Sequence, residues 1–183
     1  EAEEICDRIK ERKAETSCSY RDMAILYRTN SQSRAFEDAL RFRNIPYRLF
    51  GGLSFYSRKE IKDVLAYFRL VVNNNDNDAF LRIINYPARG IGQTSLDRLK
   101  IAADSMNCSL FDAASSDCLS QFGIKSSTSS TLSDFCAFIR ACSVELYNED
   151  ALTLGEKIIK RSRLKETISE EDKAESKDRL ENV

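Results

Sequence analysis

At 183 residues, with 42% hydrophobic and 31% charged side chains, the chain carries apolar mass for one or two domain cores and is no disordered tail. Histidine is absent and the six cysteines include no Cys-x-x-Cys pair, which excludes zinc-ligand spacing and every Ser-His or Cys-His nucleophile. Net charge is only −1, but between Arg28 and Lys62 eight Lys/Arg stand against three acids, and the order reverses after Lys165, which points to a polyanion contact near the front.

The apolar runs are too short to span a bilayer: Val64 to Val72 is broken by Arg69, and no signal-like segment opens the chain, so a cytoplasmic location is expected. The chain starts at Glu1 and stops at "RLENV" inside a helical pattern, so it reads as a segment of something longer.

Residues 1–13 set Ile5 and Ile9 four apart among charges, the pattern of a surface helix. "DMAILYR" (22–28) reads as a buried strand, "SQSRAFEDALRFRN" (31–44) as a helix with Phe36, Ala39, Leu40 and Phe42 apolar, and "YRLF" (47–50) as a second strand closed by Gly51–Gly52. Strand, helix, strand makes a βαβ unit. Two parallel strands make no stable buried sheet, so residues 1–52 are expected to be a piece of an α/β domain with exposed strand edges open to self-association.

Beyond residue 52 the pattern turns helical. "SRKEIKDVLAYFRLVVN" places Ile61, Val64, Leu65, Phe68 and Val72 at helical spacing. A polar link (73–78) leads to a short helix with Phe80, Ile83 and Ile84; Leu96, Leu99 and Ala103 mark the next. The Ser/Thr-rich stretch 126–133 reads as a linker before a helix carrying Leu132, Phe135, Cys136, Ile139 and Leu146, and "LTLGEKIIKRS" and "EEDKAESKDRLEN" as shorter or exposed helices. Residues 53–183 are therefore expected to be all-helical, and the fold class as a whole mainly α.

No Gly-x-x-x-x-Gly-Lys-Ser/Thr occurs. In "YPARGIGQTSLDRL" (86–99), Pro87 stops one helix, Gly90 and Gly92 leave backbone uncovered, and Gln93, Thr94 and Ser95 open the next helix with Arg89 beside them. Two readings stand. The turn is a plain helix–helix joint with Ile91 in the core, or it is a helix-hairpin-helix-like phosphate site at a helix start.

"YRTNSQSR" (27–34) also offers two readings: Arg28 and Asn30 form a ligand site at a strand's carboxyl end, or Asn30 caps the helix and Arg28 pairs with Glu37 or Asp38. Arg58, Lys59 and Lys62 form a basic cluster among Glu60 and Asp63, the ordinary look of a solvated face.

Taken together, "AILYRTNSQSRAFEDAL", "IPYRLFGGLSFYSRKEIKDVLAYFRLVVN" and "RIINYPARGIGQTSLDRL" resemble, in order and spacing, blocks of UvrD/Rep/PcrA-type superfamily 1 DNA helicases. The match is continuous over residues 23–100 and weaker beyond 105. The resemblance implies that residues 1–52 belong to a RecA-like motor domain (2A) and 53–183 to its inserted helical subdomain (2B), which turns on Gly51–Gly52.

It implies single-stranded DNA contact through Arg28 and Asn30, duplex contact through Lys62, Arg89, Gly90, Ile91, Gly92, Thr94 and Ser95, and a structural role in the motor domain for Gln32 and Arg34. For the parent protein it implies ATP- and Mg2+-dependent 3′-to-5′ unwinding in DNA repair, replication or recombination, in the bacterial cytoplasm at the nucleoid. Catalysis, and any metal or nucleotide, would then lie outside this chain, whose partners would be DNA, the rest of the motor and regulatory proteins. An alternative role is an autoinhibitory protein-interaction module with little DNA affinity.

Overall fold

The computed structural model describes residues 1–28, 32–50, 54–171, 179–180 and 182–183. The described residues are mainly helical and fall into two compact units, Glu1–Arg58 and Lys59–Val183.

In the first unit, α1 (Ala2–Glu15) packs on α2 (Ser33–Phe42) around Cys6, Ala39, Leu40 and Ile45, and Arg43 ties the two by an ion pair to Asp7 at 2.8 Å. A short turn of helix at Tyr20–Asp22 is opened by Ser19 in a reciprocal cap with Asp22. The buried stripe of α2 runs through Ser33, Glu37 and Leu40, and Phe42, expected on that stripe, is exposed.

Glu37 is buried because donors feed it: the Tyr47 hydroxyl at 3.2 Å, the Phe55 N–H at 3.1 Å and the Ser54 hydroxyl. Burial alone would raise its carboxyl, yet the hydrogen bonds from Ser54, Phe55, Tyr47 and Ser33 outweigh that and hold it below its ordinary range. Residues 54–58 are thereby drawn into the first unit.

No strand is found among the described residues. The segments 22–28 and 47–50, expected as the two strands of a βαβ unit, do alternate in exposure as strands would from residue 23 on, with Met23, Ile25, Tyr27, Tyr47 and Leu49 turned inward and Ile45 buried just ahead of the second. They are not bonded into a ladder. Between them and α2 lies a cavity of about 730 Å³ lined by Ile25, Leu40, Ile45 and Leu49 among others, while Leu26 is 95% and Phe50 86% exposed. Strand pattern without a strand neighbour leaves the backbone unpaired, the physical reason for the difference.

The second unit is built of α3 (Lys59–Val72), α4 (Asn77–Ile83), α5 (Gln93–Met106), α6 (Leu110–Ala114), α7 (Ser126–Glu145), α8 (Ala151–Ser162) and α9 (Leu164–Glu171). Central α3 meets α4, α7 and α8, so it is covered on more than one side. Its buried set is Ile61, Val64, Ala66, Tyr67, Leu70 and Val71, whereas Leu65 and Val72, expected inside, face out.

Asp76 caps α4 by accepting from the Ala79 N–H at 2.9 Å. The Ser/Thr stretch expected as a linker is instead the start of α7, where Leu132 is fully buried and the Thr131 hydroxyl bonds back to the Ser127 carbonyl at 3.0 Å. Among the described residues no helix is long and apolar enough to cross a membrane.

Candidate nucleic-acid interface

The loop between α4 and α5 is held from inside. Asn85 accepts from the Arg89 N–H at 2.9 Å and donates to the Ile91 carbonyl at 3.0 Å, closing residues 85–91 into a ring. Ile91 is buried in the core. Arg89 turns its guanidinium inward, over the Phe135 ring, and donates from Nη1 to the carbonyls of Ile83 (2.8 Å), Ile84 (3.0 Å) and Pro87 (3.1 Å). The carbonyls of Ile84 and Pro87 have no other donor among the described residues, and that of Ile83 also accepts from the Tyr86 N–H at 3.1 Å. Nη2 donates to the Tyr67 hydroxyl. Arg89 is thus a buttress of the loop, with most of its donors committed to it.

The outer side of the loop is bare. Gly90 sits at φ +71, where a side chain would be strained, and a Cβ there would meet nothing within 4 Å. Gly92 differs: it begins α5 with an extended φ of −73 and ψ of 160, and a Cβ would again enter open space. No side chain caps α5. The N–H groups of Gly90, Gly92, Gln93 and Thr94 make no hydrogen bond among the described residues, whereas those of Ser95 and Leu96 turn back to the Gly92 carbonyl. The exposed N-terminal end of a 14-residue helix therefore presents several free donors.

Lys62 is exposed in the first turn of α3, one turn beyond Lys59, and makes no ion pair among the described residues. Its neighbours Glu60 and Asp63 are both buried, so the acids that looked like its solvated partners in sequence face inward. Lys59 is exposed too, but its ammonium is engaged, 4.0 Å from the Tyr86 ring centre and 3.5 Å from Glu171.

Arg28 is exposed, and neither Glu37 nor Asp38 pairs with it: Glu37 is occupied as above, and Asp38 accepts from the Tyr56 hydroxyl at 2.9 Å. Its backbone N–H bonds to the Gln32 side chain at 3.0 Å. Arg34 lies 4.6 Å from the Phe55 ring centre, inside the same unit. Asn30, Gly51 and Gly52 fall outside the described residues. Sequence reasoning missed Asn85, Tyr67 and Tyr86 as the loop's supports; an Asn ahead of a Tyr-Pro turn was the available signal, since its short amide serves nearby backbone.

The described residues thus define a mainly α-helical protein with an uncapped helix start at two glycines. The chain belongs to the UvrD-like helicase C-terminal domain family, whose model matches residues 1–183. It is 37% identical over 164 residues to the ATP-dependent DNA helicase PcrA of Staphylococcus aureus (strain Mu50), a match covering 90% of this chain and 22% of that protein. PcrA of Staphylococcus epidermidis (strain ATCC 12228) matches to the same extent. The chain therefore spans 22% of the length of these relatives, and the UvrD/PcrA-type resemblance seen in its sequence blocks is borne out.

Proposed function

We propose that the unit Lys59–Val183 grips duplex DNA through its phosphates as part of an ATP-dependent 3′-to-5′ DNA helicase. The free N–H groups of Gly90, Gly92, Gln93 and Thr94 are the contact, Ile91 is its anchor, and Ser95 and Lys62 serve the same contact. The observation that carries this reading is Gly92. Neither its φ nor its surroundings require glycine, and a Ser or Asp there would cap α5, so the missing side chain answers to something approaching from outside. Arg28 and Asn30 supply a contact to the single strand in the first unit. ATP and Mg2+ serve the whole protein, and no residue of this chain is assigned to them.

Such a grip reads no sequence and weakens steeply with salt. Fluorescence anisotropy with a tailed DNA hairpin tests it. Gly92→Ala should weaken binding, and Lys62→Ala should weaken it and lower the salt slope by about 1. Binding insensitive to salt, or untouched by both substitutions, overturns the reading.

A regulatory, partner-binding role is supported by a separate observation. Val144, Tyr147 and Leu152 stand exposed around the turn from α7 to α8, Tyr147 at 91%. Charged substitutions at these three positions should leave DNA binding intact while altering unwinding by the whole protein. Unchanged unwinding counts against this second role.

A further inference from the structure

One polar path runs from the last residues of the chain to the Gly90–Gly92 loop. At its far end Arg179, whose side chain is mostly buried, donates from Nη2 to Glu171 at 3.0 Å and to the Tyr86 hydroxyl at 3.4 Å, and its Nε lies 3.6 Å from Glu60. Asn182 donates to the other oxygen of Glu60 at 2.9 Å, and Val183 packs on the core. Glu60 is 4% exposed, so these contacts satisfy a buried carboxylate.

At the near end, the Tyr86 carbonyl accepts from the Tyr67 hydroxyl at 2.8 Å, and that hydroxyl accepts from Arg89 at 2.8 Å. Tyr86, the residue that opens the loop, is therefore held twice. Its carbonyl is fixed by the core, and its phenol by Arg179 and by a hydrogen bond with Glu171, which Arg179 itself holds, with the Lys59 ammonium over the ring.

We propose that Arg179 is a positioning residue for the Gly90–Gly92 loop: its docking, together with Asn182 and Val183, sets the loop's rigidity through Tyr86. A buried path of this kind transmits order only if its members are energetically coupled, which substitution can measure. The consequence for DNA rests on the grip proposed above.

The test uses the full chain, with hydrogen exchange read at the bonded loop amides of Tyr86, Arg89, Ile91, Ser95 and Leu96 and over α7, and duplex affinity by anisotropy. Arg179→Ala should speed exchange in the loop but not in α7, and weaken duplex binding about threefold or more, the effect of losing one hydrogen-bonded link. Arg179→Lys should recover part of both. Tyr86→Phe, which removes only the hydroxyl, should reproduce the loop effect, and it decides the matter should Arg179→Ala fail to fold.

Unchanged loop exchange in these variants overturns the proposal. Gly92→Ala, run in parallel, separates the two readings. If it weakens binding while Arg179→Ala changes neither exchange nor affinity, positioning fails and the grip stands. If Gly92→Ala leaves binding unchanged while Arg179→Ala loosens the loop, the grip fails and positioning stands.

Discussion

Arg89 donates from Nη2 to the hydroxyl of Tyr67 at 2.8 Å, which itself donates to the Tyr86 carbonyl at 2.8 Å. Tyr67 is fully buried, so neither bond can be replaced by water. Arg89→Ala would strip the donor from the carbonyls of Ile84 and Pro87 and from this hydroxyl at once, while the Ile83 carbonyl keeps the Tyr86 N–H at 3.1 Å. The expected loss is about 3 kcal/mol, given roughly 1–3 kcal/mol for each group left unsatisfied and some relaxation of the turn. Arg89→Lys should fall between, since an ammonium cannot span the same set of acceptors. Urea unfolding of the two variants checks this, and equal stability of wild type and Arg89→Ala would refute it.

Gly90 and Gly92 should separate stability from binding. At φ +71, Gly90→Ala costs about 1–2 kcal/mol by backbone strain. At Gly92 no strain arises, and Gly92→Ser offers α5 a side-chain cap, so stability should hold or rise by a few tenths of a kcal/mol. Duplex affinity should nonetheless drop in Gly92→Ser, because the added side chain occupies the open space over the free amides. Thermal melting and anisotropy on the same samples distinguish a protein that is at least as stable but binds less from one that is simply less folded.

The helices were legible where a single face is apolar. Phe80, Ile83 and Ile84 of the α4 region and Leu99 and Ala103 of α5 are buried as their spacing indicates. Where several neighbours surround a helix, spacing misleads: Tyr67 is fully buried in α3, yet it does not fall on the apolar set Ile61, Val64, Leu65, Phe68 and Val72. The short elements α6 and Asp117–Phe122 left no period to detect, though Phe111 and Leu119 are core residues.

The glycine-rich turn was legible as an exposed backbone, but the role of Arg89 was not. A cation beside a phosphate site and a cation capping carbonyls have the same sequence, and only the buried acceptors at residues 83, 84 and 87 tell them apart.

Tyr86 gives the second unit a titration in the alkaline range. Burial and the nearby Glu171 charge push its phenol up to about 12 from an ordinary value of 10.0. The folded state thus keeps a proton that the unfolded chain gives up. Its contribution is complete below pH 10 and lost as pH rises toward 12. Stability followed by urea unfolding between pH 9 and 12, a window of about 3 units around the shifted group, should fall less steeply in Tyr86→Phe than in wild type. Parallel curves would show that this phenol is not shifted.

Asp63 and Arg82 provide the last prediction. Their ion pair is short, 2.7 Å, yet the carboxyl of Asp63 lies above its ordinary range, because burial outweighs the charge of Arg82. Its second oxygen finds no hydrogen-bond partner among the described residues, which is why the pair does not offset the lost hydration.

Arg82→Ala removes the compensating charge and leaves a carboxylate at 3% exposure, so stability at neutral pH should fall by about 3 kcal/mol. A raised pKa means the native state favours the protonated acid, so the deficit should shrink as pH falls toward 4 and widen as pH rises. Asp63→Asn in the Arg82→Ala background should recover most of the loss at neutral pH, since the amide carries no charge to bury. Urea unfolding of the single and double variants at pH 4 and pH 7 measures both effects; a deficit independent of pH would mean that Arg82 acts by packing alone.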